Sequence, residues 1–89
     1  MKKVVIWTFK FCPFCVKAKA LLDQLDIQYE EIMIPFGDKR LEELSQKTNC
    51  TTLPQIFVDE VFIGDCSKIH ELHEEGLLVA MIKEQQWES

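Results

Sequence analysis

The sequence predicts an α/β protein with a four-stranded mixed sheet and helices on both faces. Three observations predict this class. Residues 4–9 are apolar on both alternating faces, apolar positions at helical spacing follow them, and two short strand-like segments, 55–58 and 61–63, are separated by the two residues of a hairpin turn. A chain of 89 residues, 47% of them hydrophobic, is the size of one domain, which we assign to residues 1–89.

The first half of the chain reads as strand, helix and strand. Because residues 4–9 have no polar face, they predict a central strand that is covered on both sides. Pro13 suits the first position of the helix that follows, where its missing N–H is not needed. Residues 29–34 predict a second strand, and the adjacent acids Glu30 and Glu31 indicate a sheet edge, where charges discourage stray pairing.

The second half adds a helix, the hairpin and two more helices. Asp38 is placed to cap a short helix that turns Leu41 inward. After the hairpin, Asp65 or Ser67 caps a third helix, and residues 77–87 form a final amphipathic helix. The predicted order is β-α-β-α-β-β-α plus a C-terminal helix. Its first crossover joins parallel strands, and its hairpin joins antiparallel ones.

The charge distribution excludes one class of function and favours another. A formal net charge of −5 and a pI of about 4.9 argue against a nucleic-acid binder, which is normally basic. Residues 1–20 nevertheless hold five lysines and no acid, a local surface that favours thiolates and anionic substrates. The chain shows neither the apolar core of a signal peptide nor a run of membrane length. We therefore expect a monomeric cytoplasmic protein that binds neither nucleic acid nor membranes.

Cys12 and Cys15 carry the chemistry. Three residues apart at a helix start, their Cα atoms fall within the range that allows a disulfide. The helix dipole and unpaired N–H groups favour a thiolate on Cys12, which is predicted to be the exposed nucleophile. Cys15 lies one turn further in, where it can attack a mixed disulfide on Cys12. Zinc would need a second such pair, which Cys50 and Cys66 do not form, so no metal site is predicted.

This pattern resembles a dithiol glutaredoxin of the thioredoxin-fold superfamily. The resemblance rests on Cys-Pro-Phe-Cys at residues 12–15, on Thr-Thr-Leu-Pro-Gln at residues 51–55 and on Ile-Gly at residues 63–64. It implies a thioredoxin-like fold and the glutathione-dependent reduction of protein disulfides and glutathione mixed disulfides. Glutathione is implied as a co-substrate, with no tightly bound cofactor. The implied partners are disulfide-containing or glutathionylated proteins, with ribonucleotide reductase as a family-level candidate.

The resemblance also assigns residues to glutathione binding. The backbone of Leu53 matches the group that pairs with the cysteinyl unit of glutathione, and Pro54 matches a cis-proline that faces the cysteines. Cys66 and Ser67 match positions that hold the γ-glutamyl carboxylate at a helix N-terminus. The implied glutathione-binding residues are Lys10, Phe14, Arg40, Thr52, Leu53, Pro54, Gly64, Cys66 and Ser67.

Several departures from the family pattern keep alternatives open. Phe9 replaces the basic residue that commonly lies three positions before the first cysteine, and Asp65 and Lys68 replace a glycine and an aspartate. Asp65 is expected to disfavour the glutathione carboxylate. The first alternative is a glutaredoxin-like protein that thioredoxin reductase reduces. The second is an iron–sulfur-cluster-binding glutaredoxin, against which Pro13 and Cys15 weigh, because cluster carriers usually have Gly and Ser there.

Overall fold

A computed structural model describes residues 2–35 and 37–83, which fold into one four-stranded sheet and four helices. The strands are β1 (Val4–Thr8), β2 (Glu30–Met33), β3 (Gln55–Val58) and β4 (Val61–Gly64), and the helices are α1 (Pro13–Gln24), α2 (Lys39–Thr48), α3 (Cys66–Glu74) and α4 (Leu78–Lys83). The predicted order of elements is confirmed. The predicted last helix is observed as α4, and its residues 84–87 lie outside the described residues. None of these four helices is long and apolar enough to cross a membrane.

The strand order in the sheet is β2-β1-β3-β4. Strand β1 lies in the centre, parallel to β2 and antiparallel to β3, and the β3–β4 hairpin completes the sheet. The prediction of a central first strand and an edge second strand is therefore confirmed. The physical reason is that only a central strand can bury apolar side chains on both of its faces.

Helices cover both faces of the sheet, because successive side chains of β1 point to opposite sides. Val4 and Ile6 are buried in one cluster with apolar side chains of α1, α3 and α4. Trp7 is half-buried on the other face, in a second cluster that includes Leu44 of α2. Cys12 and Cys15 belong to this second cluster, so the reactive motif is packed into the core rather than attached to the surface.

Local sequence signals set the turns and the helix starts. Asp59 and Glu60 form the hairpin turn with φ angles of 50° and 71°, the left-handed pair that matches the twist of a two-residue hairpin. Asp38 caps α2 by accepting a hydrogen bond from the Arg40 amide at 2.7 Å. Of the two predicted caps for α3, the structure uses Asp65, whose carboxylate accepts from the Lys68 amide at 3.0 Å.

Glu31 joins a hydrogen-bonded network in addition to placing a charge on the edge strand. On the neighbouring strand, Thr8 is fully buried, and its Oγ1 donates to Glu31 Oε2 at 2.7 Å. Lys19 of α1 donates from Nζ to the same oxygen at 2.9 Å. The hydrogen bond from Thr8, followed by the one from Lys19, holds the pKa of Glu31 below its ordinary value despite partial burial. This network ties the edge strand to the helix that carries the cysteines.

We expect Glu31→Gln to lower the free energy of unfolding by about 1 kcal/mol at neutral pH, because a neutral amide is the weaker acceptor. The carboxylate has a depressed pKa in the folded state, so its contribution is complete above the unfolded value of about 4.3 and is lost as the pH falls through the folded value. Urea denaturation at about pH 7 and pH 3 should show the difference between variant and wild type shrinking in acid.

Glu30→Gln is the matched control for this prediction, because it removes the same charge from the exposed neighbouring position. It should change the free energy of unfolding by less than about 0.5 kcal/mol. Equal losses in the two variants at neutral pH would contradict the role given to Glu31.

Candidate active site

Strand β1 and a short loop deliver Cys12 to the N-terminus of α1. Cys12 is the N-cap residue, and Pro13 occupies the first helical position, as predicted. The Sγ atom of Cys12 accepts a hydrogen bond from the backbone N–H of Cys15 at 3.2 Å. The sulfur thus takes the place of a capping oxygen on one of the free amides of the first turn. Negative charge on this sulfur is stabilised by that amide and by the helix dipole.

Cys12 is more enclosed than the sequence predicted. Its exposed fraction is 6%, and that of Cys15 is 2%, so the prediction of an exposed nucleophile is wrong for the reduced protein. The physical reason is a contact between residues distant in sequence. The carbonyl oxygen of Leu53 lies 3.8 Å from Cys12 Sγ, within reach of the thiol as a donor, so the loop before β3 covers the sulfur.

The two thiols differ in their electrostatic environment. Burial, followed by the hydrogen bond with Cys12, raises the pKa of the Cys15 thiol to about 12. A backbone hydrogen bond at Phe9 and the positive charge of Lys19 act in the opposite direction with smaller effect. Cys15 is therefore a protonated thiol at neutral pH, as a second, resolving cysteine should be before a mixed disulfide forms.

Gln55 fixes the loop that faces the cysteines. Its side chain is fully buried, and Nε2 donates to the carbonyl oxygens of Cys50 at 2.8 Å and Thr52 at 3.0 Å. Its Oε1 accepts from Thr48 Oγ1 at 3.0 Å. The sequence motifs assign no role to Gln55. A polar amide side chain in a buried strand is itself an indication, since each of its polar atoms must find a hydrogen-bond partner.

A groove of about 200 Å³ is lined by Leu53, whose carbonyl oxygen lies 3.8 Å from Cys12 Sγ. Three segments form its walls: the first turn of α1, the loop before β3 and the first turn of α3. The Leu53–Pro54 peptide bond is cis, as the family resemblance implied. The lining residues are Phe14, Thr52, Leu53, Pro54, Asp65, Cys66 and Ser67.

Six of the nine residues predicted to bind glutathione thus meet in one groove, and three do not line it. Lys10 is exposed, with its Nζ 5.4 Å from the ring centroid of Phe11. Arg40 forms a salt bridge of 3.0 Å with Asp38, the cap of its own helix. Gly64 ends β4 just before the groove. Its φ of +141° and its close approach to the side chain of Lys68 leave no room for a Cβ atom.

The N-terminus of α3 gives the groove a mixed electrostatic character. Free amides of the first turn attract an anion, but Asp65 places a carboxylate at the same point.

Burial raises the pKa of the Cys66 thiol, and its Sγ lies 3.5 Å from His70 Nδ1. Cys50 and Cys66 are both free thiols. Among residues 2–35 and 37–83, no three His, Cys, Asp or Glu side chains are grouped to hold a metal ion.

A mixed sheet with Cys-x-x-Cys capping the first helix, and a cis-proline loop against it, defines a thioredoxin-like thiol–disulfide oxidoreductase. The glutaredoxin family model matches residues 4–63. The glutaredoxin of Pseudomonas aeruginosa is 37% identical over 82 residues, covering 92% of this chain and 98% of that protein. Glutaredoxin 3 of Escherichia coli is 36% identical over 83 residues, covering 93% and 100%. The chain belongs to the glutaredoxin family and has its thiol–disulfide oxidoreductase activity.

Solved structures agree with this assignment. A buckwheat glutaredoxin in complex with glutathione superposes with a TM-score of 0.86 at 32% identity, covering 93% of this chain and 78% of that one. The thioredoxin-like fold predicted from the sequence is confirmed.

The contacts of Gln55 generate a prediction. We expect Gln55→Leu to lower the free energy of unfolding by about 2 kcal/mol, because it removes the hydrogen bonds that the buried side chain donates to the carbonyl oxygens of Cys50 and Thr52. The loop before β3 should loosen, which would raise the KM for a disulfide substrate. Chemical denaturation and steady-state kinetics measure the two effects. Gln46→Leu, the same change on the exposed face of α2, is the control, and an equal loss there would contradict the role of Gln55.

Proposed function

We propose that this glutaredoxin reduces protein disulfides and glutathione mixed disulfides through Cys12 and Cys15, with glutathione as the electron donor. The observation that carries the proposal is the position of Cys12 Sγ. It accepts the amide of the first turn of α1, and it lies 3.8 Å from the carbonyl oxygen of Leu53, which lines a groove together with the first turn of α3. The sulfur thus lies within reach of a groove that can hold a short anionic peptide.

The first step is attack by the Cys12 thiolate on one sulfur of the substrate disulfide. A new S–S bond to Cys12 forms as the substrate S–S bond breaks, and the other substrate sulfur leaves as a thiolate that takes up a proton. If the bound partner is glutathione, a second glutathione thiolate attacks its sulfur. That attack returns the reduced Cys12 and releases glutathione disulfide.

The second route uses Cys15 and serves protein substrates. Cys15 gives up its proton and attacks Cys12 Sγ, so a Cys12–Cys15 disulfide forms while the remaining substrate thiol leaves with a proton. The substrate has then gained two electrons and two protons. Two glutathione thiols reduce the new disulfide in turn and become glutathione disulfide. The raised pKa of Cys15 keeps this thiol protonated until Cys12 carries a disulfide.

The groove supports glutathione as the ligand of the site. The backbone of Leu53, which lines the groove, can add a short strand to the cysteinyl unit, and the amides at Cys66 and Ser67 suit a carboxylate. The buckwheat relative is described as a glutaredoxin–glutathione complex. Asp65 opposes the carboxylate at this end, so we expect weaker binding than in a groove without an acid there. The proposed compartment is the reducing cytoplasm, where the dithiol persists.

Single cysteine variants test the division of roles. We expect Cys12→Ser to abolish turnover of a glutathione mixed disulfide, because the attacking sulfur is gone. Cys15→Ser should keep that turnover and lose the reduction of a protein disulfide, which needs the second thiol. Coupled assays with glutathione and glutathione reductase measure both reactions. Cys50→Ser is the control, because Cys50 is a free thiol that does not line the groove, and this variant should retain both reactions. Full activity of Cys12→Ser would refute the proposal.

The electron donor is tested separately. With wild-type protein, turnover should be sustained by glutathione and glutathione reductase, and should be at least about tenfold slower with thioredoxin reductase and NADPH. The physical reason is that the groove offers backbone and helix-terminus contacts to a tripeptide. Faster turnover with thioredoxin reductase would overturn the choice of glutathione and leave the roles of the two cysteines intact.

A further inference from the structure

Three large apolar side chains within four residues of Cys12 are exposed. Phe11 is 88% exposed, Phe14 58% and Val16 61%. The Nζ of Lys10 lies 5.4 Å from the ring centroid of Phe11, and the Nζ of Lys17 lies 5.8 Å from that of Phe14. We call the five residues Lys10, Phe11, Phe14, Val16 and Lys17 the aromatic rim.

The packing of the folded chain does not explain why residue 11 is a phenylalanine. Its φ of 63° places a bulky side chain in the left-handed region, which costs about 1–3 kcal/mol in such a residue. The side chain is almost fully exposed, so burial returns almost nothing. Glycine would satisfy the same backbone without strain. A phenylalanine at this place is therefore available for contacts outside the folded chain.

The aromatic rim carries positive charge only. Residues 1–20, which contain it, hold five lysines and no acid, while the chain as a whole carries −5. Each ammonium group over a ring keeps its other sides open to solvent and to a carboxylate. In the adjoining groove, Asp65 is the acidic lining residue, and its carboxylate is occupied in capping α3. The rim thus offers apolar rings and free positive charge together.

A second copy of the chain does not fit this surface. A two-fold contact with its axis at the rim would place each rim against itself, which would bring lysines against lysines without a matching acid. A partner with acidic and apolar side chains is complementary in both charge and hydrophobicity. This comparison selects a substrate protein rather than a dimer.

We infer that the aromatic rim is the docking surface for a protein substrate whose reacting cysteine is flanked by an acidic residue and a large apolar residue. The inference rests on the proposed function. Because Cys12 is only 6% exposed, a disulfide reaches its sulfur across the rim, and the residues beside the reacting cysteine lie on Phe11 and Phe14. The neighbouring acid then meets Lys10 or Lys17.

The test compares two glutathionylated peptides of equal length. In one, Asp and Leu flank the modified cysteine, and in the other, Lys and Ser do. We expect kcat/KM to be about tenfold higher for the acidic, apolar peptide at low ionic strength, with much of that ratio lost in about 0.5 M salt. Glutathionylated 2-mercaptoethanol, which has no flanking residues, serves as the reference substrate.

Two variants separate docking from chemistry and from folding. Phe11→Gly should lower kcat/KM for the acidic, apolar peptide about fivefold, with the reference substrate unchanged and Tm unchanged or higher. Lys17→Glu should remove the preference between the peptides. Lys47→Glu makes the same charge change in the last turn of α2 and should leave the preference as in the wild type.

The remaining outcomes distinguish failure of the docking inference from failure of the proposed function. Equal kcat/KM for the two peptides in the wild type, or a fall in Tm with Phe11→Gly, overturns the docking inference. A concentration-dependent dimer in sedimentation experiments that Phe11→Gly abolishes also overturns it, in favour of self-association. Absence of turnover with glutathionylated 2-mercaptoethanol would instead refute the proposed function, so the two failures are distinguishable.

Discussion

The hydrogen bond from the Cys15 amide to Cys12 Sγ is the interaction on which the site depends. It makes the reactive sulfur part of the cap of α1, so the reactivity of the sulfur and the start of the helix are one structural feature. Pro13 supports it because its fixed φ suits the first helical position, where its missing N–H is not needed. The same geometry places Cys15 one turn deeper, where burial keeps its thiol protonated. Two cysteines of the same chemistry therefore acquire different roles from position alone.

The site is completed by a loop that comes from the other half of the chain. The loop before β3 covers Cys12 and supplies one wall of the groove, and the buried amide of Gln55 holds its carbonyl groups in place. The strand order explains this meeting, because β3 lies directly beside β1 in the sheet. The end of β1 and the start of β3 are then neighbours, although they are 47 positions apart in the sequence (55 − 8).

Local patterns predicted much of the fold, and the failures share one cause. The doubly apolar first strand, the proline at the helix start and the Asp38 cap were each visible within a few residues of sequence. The enclosure of Cys12 and the network of Thr8, Glu31 and Lys19 were not. Both depend on side chains that meet only when strands and helices pack. A sequence window cannot show such contacts.

By itself, the sequence determined the fold class, the order of elements and the identity of the reactive pair, because hydrophobic periodicity and helix-capping chemistry act over short distances. Its resemblance to a known family named the residues that were expected around glutathione. Only the tertiary structure decided that Phe14, the loop before β3 and the start of α3 form one groove, that Cys12 is covered, and that Phe11 is left in solvent. These outcomes follow from strand pairing and packing between distant segments, which set exposure and electrostatic environment.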